Sequence, residues 1–171
     1  MPLEFEVPGL GERRITSLVL DYNGTIADRG HLLPGVAERL RALSEVLDVH
    51  VFTADTFGTV RDELARELMR EMNDGRVAVD IIPPKDKRPG KNEGEAKLDM
   101  LSALGAGHCC AIGNGRNDVL MLEAAGLSFC VMGREGCSPA AMMASQIACR
   151  DILEALDLLL DPRCCIATMR I

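Results

Sequence analysis

Short apolar runs bounded by turn residues alternate with longer amphipathic stretches along this chain, and the alternation predicts strands and helices in turn. Leu18, Val19 and Leu20 read as a buried strand that stops at Asp21, because Asn23-Gly24 is a strong turn signal. Ala27 to Leu33 lacks a period and predicts a short irregular flap. Pro34-Gly35 opens a helix with Val36, Leu40, Leu43 and Leu47 at helical spacing. Val49 to Thr53 predicts a second strand. Ala54-Asp55-Thr56 starts a helix through Val60, Leu64, Leu68 and Met69, with its charges on the outer face. Val77 to Ile82 is a third strand, stopped by Pro83-Pro84, and Lys85 to Glu93 is a polar, basic connection. Gly94 to Leu104 predicts a helix ending at Gly105, His108 to Ile112 a fourth strand, and Gly113-Asn114-Gly115 a tight turn. A helix from Asn117 to Ala125 leads to a fifth strand, Ser128 to Met132. Ser138-Pro139 opens a short helix, Gln146 to Ala148 is a small edge strand, and Asp151 to Leu160 is a final helix capped by Asp151.

Strands alternating with helices give an α/β fold, a three-layer α/β/α Rossmann-like arrangement with a central parallel sheet. Ligands of such sheets bind outside the carboxyl ends of the strands. Asp21 and Thr53 both close strands, so both are expected on one edge. A chain of 171 residues, 47% of them hydrophobic, supports one domain over 1–171, with 1–16 an N-terminal extension and 161–171 a C-terminal tail.

The formal net charge is −7 and the basic residues are scattered, which argues against nucleic acid as the main partner. Met1 to Arg14 carries acids and prolines and does not read as a signal peptide, and no apolar run approaches membrane-spanning length. The seven cysteines are odd in number and show no CxxC spacing, so they are expected to be reduced thiols of a cytoplasmic protein. Cys109, Cys110 and Cys130 read as small buried hydrophobes, while Cys137 and the Cys164-Cys165 pair are expected on the surface.

Each candidate for chemistry has a plainer local reading. Asp21 is a strand-end carboxylate able to meet substrate, or the cap of the next helix. Thr53 carries a hydroxyl able to donate to a phosphoryl oxygen, or is itself a capping residue. Asn114 and Asp118 follow an apolar strand in Gly113-Asn114-Gly115-Arg116-Asn117-Asp118, where glycines let the backbone turn so that both side chains face one cavity.

Taken together, Asp21-Tyr22-Asn23-Gly24-Thr25, the strand ending at Thr53, and Ala111-Ile112-Gly113-Asn114-Gly115-Arg116-Asn117-Asp118 resemble three motifs of the haloacid dehalogenase (HAD) superfamily of phosphotransferases. The DYNGT and IGNGRND phrasing is similar to its soluble, P-type-ATPase-like branch. A cationic motif should lie between the third and fourth strands. Lys97 fits the Gly-x-x-Lys pattern of that branch, and Lys91 is the rival.

The resemblance spans Ser17 to about Met132 and implies a hydrolase that forms an aspartyl-phosphate on Asp21. It implies Mg²⁺ held by Asp21, Asn23, Asn114 and Asp118, with substrate contacts from Thr53, Ala54, Lys97 and Asn117. Two positions depart from the pattern. Asn23 stands where active phosphatases usually carry a general acid, so good leaving groups are favoured over alkyl phosphates. Asn114 replaces an Asp and removes a negative charge from the metal site. No cap domain fits either interval where the family inserts one, which implies an open site and a homo-oligomer whose neighbour serves as lid. The expected partner is a phosphorylated small molecule or a phosphoprotein. A catalytically degenerate domain that binds phosphate or metal as a regulatory module is the other reading.

Overall fold

The computed structural model describes residues 2–55 and 58–171. In chain order its elements are β1 (Leu3–Val7), β2 (Gly11–Ile15), β3 (Ser17–Asp21), β4 (Ala27–Asp28), β5 (His31–Leu32), α1 (Val36–Leu43), β6 (Asp48–Thr53), α2 (Val60–Asn73) and β7 (Val77–Ile81). They continue with α3 (Glu93–Ala103), β8 (Cys109–Gly113), α4 (Val119–Ala124), β9 (Leu127–Val131), α5 (Pro139–Ala144), β10 (Ile147–Cys149), α6 (Ile152–Leu160) and α7 (Pro162–Met169).

Six strands form one sheet in the order β10-β9-β8-β3-β6-β7, every neighbouring pair parallel. β3 lies at its centre, between β6 and β8, and all five of its residues are buried. The period-two alternation of a strand sorts side chains between two layers. Leu18 and Leu20 join the apolar cluster built with α1, α2, α6 and α7, whereas Val19 joins the cluster of Leu101, Met121, Leu122 and Ala141 from α3, α4 and α5. Asp21 shares the parity of Val19, so the strand aims it towards the α3 side.

The structure departs from the expected elements in several places. The N-terminal extension is an antiparallel hairpin of β1 and β2, which delivers Val7 and Ile15 to the core. The flap holds a two-residue antiparallel pairing of β4 with β5, and the Tyr22 hydroxyl, donating to the Gly30 carbonyl at 2.9 Å, pins it down. The predicted helix from Asn117 is a 3₁₀ turn over Arg116–Asp118 followed by the shorter α4. The tail is helical: α6 is not the last helix, because Asp161 caps α7 and Cys165 and Met169 bury against the core. Cys165 is therefore an interior thiol, contrary to the surface position expected for it, while Cys164 is exposed. Of the expected helix start at Ala54-Asp55-Thr56, Thr56 lies outside the described residues. The Asp55 carboxylate accepts the backbone N–H groups of Thr59 and Val60, satisfying donors that open α2.

Among the described residues, only the β4–β5 hairpin lies between Asp21 and α1, and only a short polar segment lies between β7 and α3. Neither holds a cap domain, so the carboxyl edge of the sheet is uncovered there. No helix among these residues is long and apolar enough to cross a membrane.

Candidate active site

At the carboxyl end of β3, Asp21 meets a lysine from a distant helix. Helix α3 buries Gly94, Ala96, Lys97 and Leu101, so Lys97 stands on the stripe that faces the sheet. Its ammonium contacts Asp21 Oδ1 at 2.5 Å and Asp118 Oδ1 at 2.6 Å. Lys97 and Asp118 have no solvent exposure and Asp21 has 9%. Charges this deep are tolerated only when paired and hydrogen-bonded. Burial works against the Lys97 ammonium, but the two carboxylates outweigh it and hold its pKa above the usual lysine value. Asp21 is pushed up to about 7, first by burial and then by the charge of Asp118, with Lys97 and the Thr25 hydroxyl pulling the other way.

Asp118 is anchored on its other side, where Oδ2 accepts the backbone N–H groups of Asn114 at 3.0 Å and Gly115 at 2.9 Å. Room explains the glycines of this segment better than backbone turning, since neither Gly113 nor Gly115 has a positive φ. A β-carbon on Gly113 would lie 2.6 Å from the Asp118 carboxyl carbon, and one on Gly115 would lie 2.3 Å from Asn117 Oδ1.

Asn114 is buried beside Asp21. The Thr25 hydroxyl stands 3.2 Å from Asp21 Oδ2 and 3.4 Å from Asn114 Oδ1, and its single proton serves one of them at a time. Asn114 Nδ2 donates to the Gly136 carbonyl at 3.1 Å, and the Asn114 carbonyl accepts from Ser138 N at 2.8 Å. The segment from Gly133 to Ser138 is thereby fastened to the site. Thr25 and this segment were not singled out from the sequence as contributors. Thr25 was visible within the motif; Glu135, whose Oε2 would lie 2.8 Å from a β-carbon on Gly24, carries no local signal.

The remaining candidates have other partners or lie elsewhere on the chain's surface and loops. Thr53 is buried at the end of β6, one step beyond Phe52, the residue in register with Asp21. Its Oγ1 accepts the Asp55 N–H at 3.0 Å. Asn23 follows in the loop after β3, half-buried, and Ala54 is exposed beside Thr53. The Asn117 amide points to Glu93, donating to its carboxylate at 2.8 Å. Lys91 pairs with Asp99 on the surface and makes no hydrogen bond to Asp21 or Asp118. Of the two candidate lysines, the structure brings Lys97 to the strand-end carboxylates.

The donor set fits a hard cation. Asp21 Oδ2 and Asn114 Oδ1 face the same hydroxyl, and Asp118 shares the Lys97 ammonium with Asp21, all of them oxygen donors of the kind Mg²⁺ accepts while keeping several waters. Among the described residues, no group of three or more His, Cys, Asp or Glu side chains is placed to hold a metal. A cation here would draw on two carboxylates, with neutral amide or backbone oxygen and water for the rest.

Comparisons with known proteins bear on the fold and the family. The uncharacterised protein MJ0073 of Methanocaldococcus jannaschii is 40% identical over 89 residues, covering 50% of this chain and 96% of its own length. MJ0072 from the same organism is 46% identical over 39 residues, covering 23% of this chain and 89% of its own. Among solved structures, the 3-deoxy-D-manno-octulosonate 8-phosphate phosphatase of Moraxella catarrhalis, in complex with magnesium, phosphate and its KDO molecule, superposes with a TM-score of 0.63. It is 19% identical, covering 91% of this chain and 94% of that one. The cobalt-bound deoxy-D-mannose-octulosonate 8-phosphate phosphatase of Haemophilus influenzae gives a TM-score of 0.58 at 17% identity, covering 85% and 87%. At such identities the likeness is one of fold. The family model for haloacid dehalogenase-like hydrolases, however, matches residues 3–126, well over half of the sequence, and the chain belongs to that family.

Proposed function

We propose that this protein is a Mg²⁺-dependent phosphohydrolase in which Asp21 is the nucleophile. The observation that carries the reading is the convergence of Lys97 on Asp21 and Asp118, three buried charged groups from separate elements of which only Asp21 keeps some exposure. A carboxylate oxygen of Asp21 attacks phosphorus in line with the leaving oxygen, the P–O bond to the leaving group breaks, and water later hydrolyses the acyl phosphate. Lys97 offsets the charge that would otherwise drive a phosphate dianion away from the nucleophile, and the Thr53 hydroxyl is the proposed donor to an equatorial oxygen. Asp21, Asp118, the Asn114 amide oxygen and the Asn23 backbone carbonyl are the proposed metal ligands, and the bound cation would supply further charge neutralisation.

Asn23 cannot pass a proton to the leaving oxygen. Substrates whose leaving groups depart as stable anions, such as acyl phosphates, aryl phosphates and nucleotides losing a diphosphate, are therefore favoured over alkyl phosphates. The uncovered edge suits a phosphorylated small molecule or a phosphoprotein. It also suits a homo-oligomer whose neighbour supplies the lid, with the exposed Met132, Met142 and Met143 as contact residues. Asn23 and Asn114 favour one other reading, a degenerate domain that binds phosphate or metal without turnover.

Acetyl phosphate and p-nitrophenyl phosphate with Mg²⁺ separate the two. Turnover by wild type, lost in Asp21→Asn and raised in Asn23→Asp, is the expected result. No turnover and no phosphate uptake by any variant would leave the binding module.

A further inference from the structure

Outside the carboxylate cluster, one side-chain contact has chemistry that the hydrolase reading does not use. Cys130 is the penultimate residue of the wholly buried strand β9, and Cys137 follows seven residues later, half-buried, just past the turn in which Gly136 N–H donates to the Gly133 carbonyl at 2.9 Å. Their sulfurs are 2.9 Å apart. No other pair of cysteine sulfurs among the described residues is in hydrogen-bonding contact, and the interior thiols Cys109, Cys110, Cys149 and Cys165 are walled in. Two sulfurs must come to about 2.05 Å to bond, so the pair has roughly 0.9 Å to close. Gly133 and Gly136, the latter at φ 79, both lie in the stretch that joins the two cysteines.

The segment is not a free loop. Gly136 and Ser138, the residues on either side of Cys137, hold the Asn114 amide and the Asn114 carbonyl, as described above. Arg134 of the same segment reaches the flap, pairing with Asp28 at 3.1 Å. A displacement at Cys137 is thus transmitted through two hydrogen bonds to the residue beside Asp21.

We propose that Cys130 and Cys137 are a reversible dithiol–disulfide site, oxidised by low-molecular-weight disulfides, whose redox state is felt at Asn114. Cys137, the more accessible thiol, attacks one sulfur of the small disulfide. That S–S bond breaks, one small thiol leaves with the proton, and a mixed disulfide remains. Cys130 then displaces the second small thiol, which carries away the second proton. Two electrons pass from the cysteine pair to the small disulfide, which ends as two thiols. Burial pushes the Cys130 thiol up to about 12, which slows its displacement step. The inference does not depend on phosphotransfer, and its test does not measure it.

The full chain is equilibrated with oxidised and reduced glutathione, and its intact mass and the amide signals of its asparagines are recorded. The expected product has lost two hydrogens, and trypsin, which cuts after Arg134, releases the Cys130 and Cys137 peptides as a linked pair. Dithiothreitol reverses it, Tm rises by roughly 5 °C on oxidation, and the Asn114 side-chain amide signals shift. Cys137→Ser abolishes all of these changes; Cys149→Ser and Cys164→Ser keep them. The site is overturned if both cysteines stay fully alkylatable, if Cys137 stops at a glutathione adduct, or if Cys137→Ser still loses the two hydrogens. Its link to Asn114 is overturned if the disulfide forms and those amide signals stay in place.

Discussion

Lys97 Nζ and Asp21 Oδ1 meet at 2.5 Å across 76 positions of sequence, and the lysine is wholly shielded from solvent where they meet. A buried ammonium of this kind costs stability unless its partners are present, and its partners cost stability without it. Asp21, Lys97 and Asp118 are therefore one electrostatic unit, and changes to any member are expected to act on the others.

Lys97→Met leaves two carboxylates facing each other in the interior. The expected loss of unfolding free energy is about 3–5 kcal/mol, read by urea denaturation at pH 7.5. Lys97→Arg should recover only part of it, because the larger, planar guanidinium does not fit a fully buried site shaped around an ammonium. A Lys97→Met protein as stable as wild type would show that the three charges are not coupled.

The raised pKa of Asp21 fixes a pH dependence in the metal-free protein. Unfolded, this carboxyl gives up its proton near pH 4; folded, it keeps it to about pH 7. Between those values the folded state binds more protons, so stability falls as pH rises, by up to about 1.4 kcal/mol for each unit. Asp21→Asn should flatten that slope and be more stable than wild type at pH 8 in the presence of a chelator. Thermal melts from pH 4.5 to 8 provide the check, and parallel profiles for the two proteins would refute it.

The same proton competes with a cation. Below about pH 7, a Mg²⁺ ion bound through Asp21 would have to displace its proton, so its dissociation constant is expected to rise up to about tenfold per unit of acidification. Calorimetry at pH 6, 7 and 8 tests this, and a pH-independent constant would remove Asp21 from the coordination sphere.

Asn114→Asp should have opposite effects on binding and on folding. An added charge tightens Mg²⁺, on the order of tenfold. The new carboxylate oxygen also replaces the amide that donates to the Gly136 carbonyl, setting two acceptors against each other at a cost of about 1–3 kcal/mol to the metal-free fold. Melts with and without Mg²⁺ separate the two effects.

Gly113→Ala places a β-carbon 2.6 Å from the Asp118 carboxyl carbon. Either the strand end or Asp118 must move, and a loss of about 1–3 kcal/mol is expected together with weakened Mg²⁺ binding. Gly107→Ala, with nothing within 4 Å of its new carbon, serves as the control.

The central architecture was legible because buried parallel strands are short, apolar and sharply ended. Asp21 and Thr53 could be placed at strand ends from Asn23-Gly24 and from the helix signals after Thr53 alone. The hairpin of β1 and β2 was missed because Glu4, Glu6, Arg13 and Arg14 dilute its alternation. The helix α7 was missed because the Cys164-Cys165 tail gives a weak apolar stripe, although Asp161-Pro162 before it has the form of a helix start. Lys97 was favoured over its rival Lys91 only by the Gly-x-x-Lys pattern of the family resemblance, and taken singly either lysine reads as a surface charge. What distinguishes Lys97 is its place with Gly94 and Leu101 on one helical face, a lysine at an interior position. The hold of Gly136 and Ser138 on Asn114 connects segments more than twenty residues apart and left no local trace in the sequence.

The parity of β3 also limits where this chain tolerates added or lost residues. Leu18 and Leu20 face one helical layer and Val19 and Asp21 the other, so inserting a single amino acid between Ser17 and Asp21 would rotate the carboxylate half a turn, out of reach of the ammonium and against aliphatic side chains. Length variation among related chains is accordingly expected in the flap and in the polar segment after β7, with that five-residue span fixed in length.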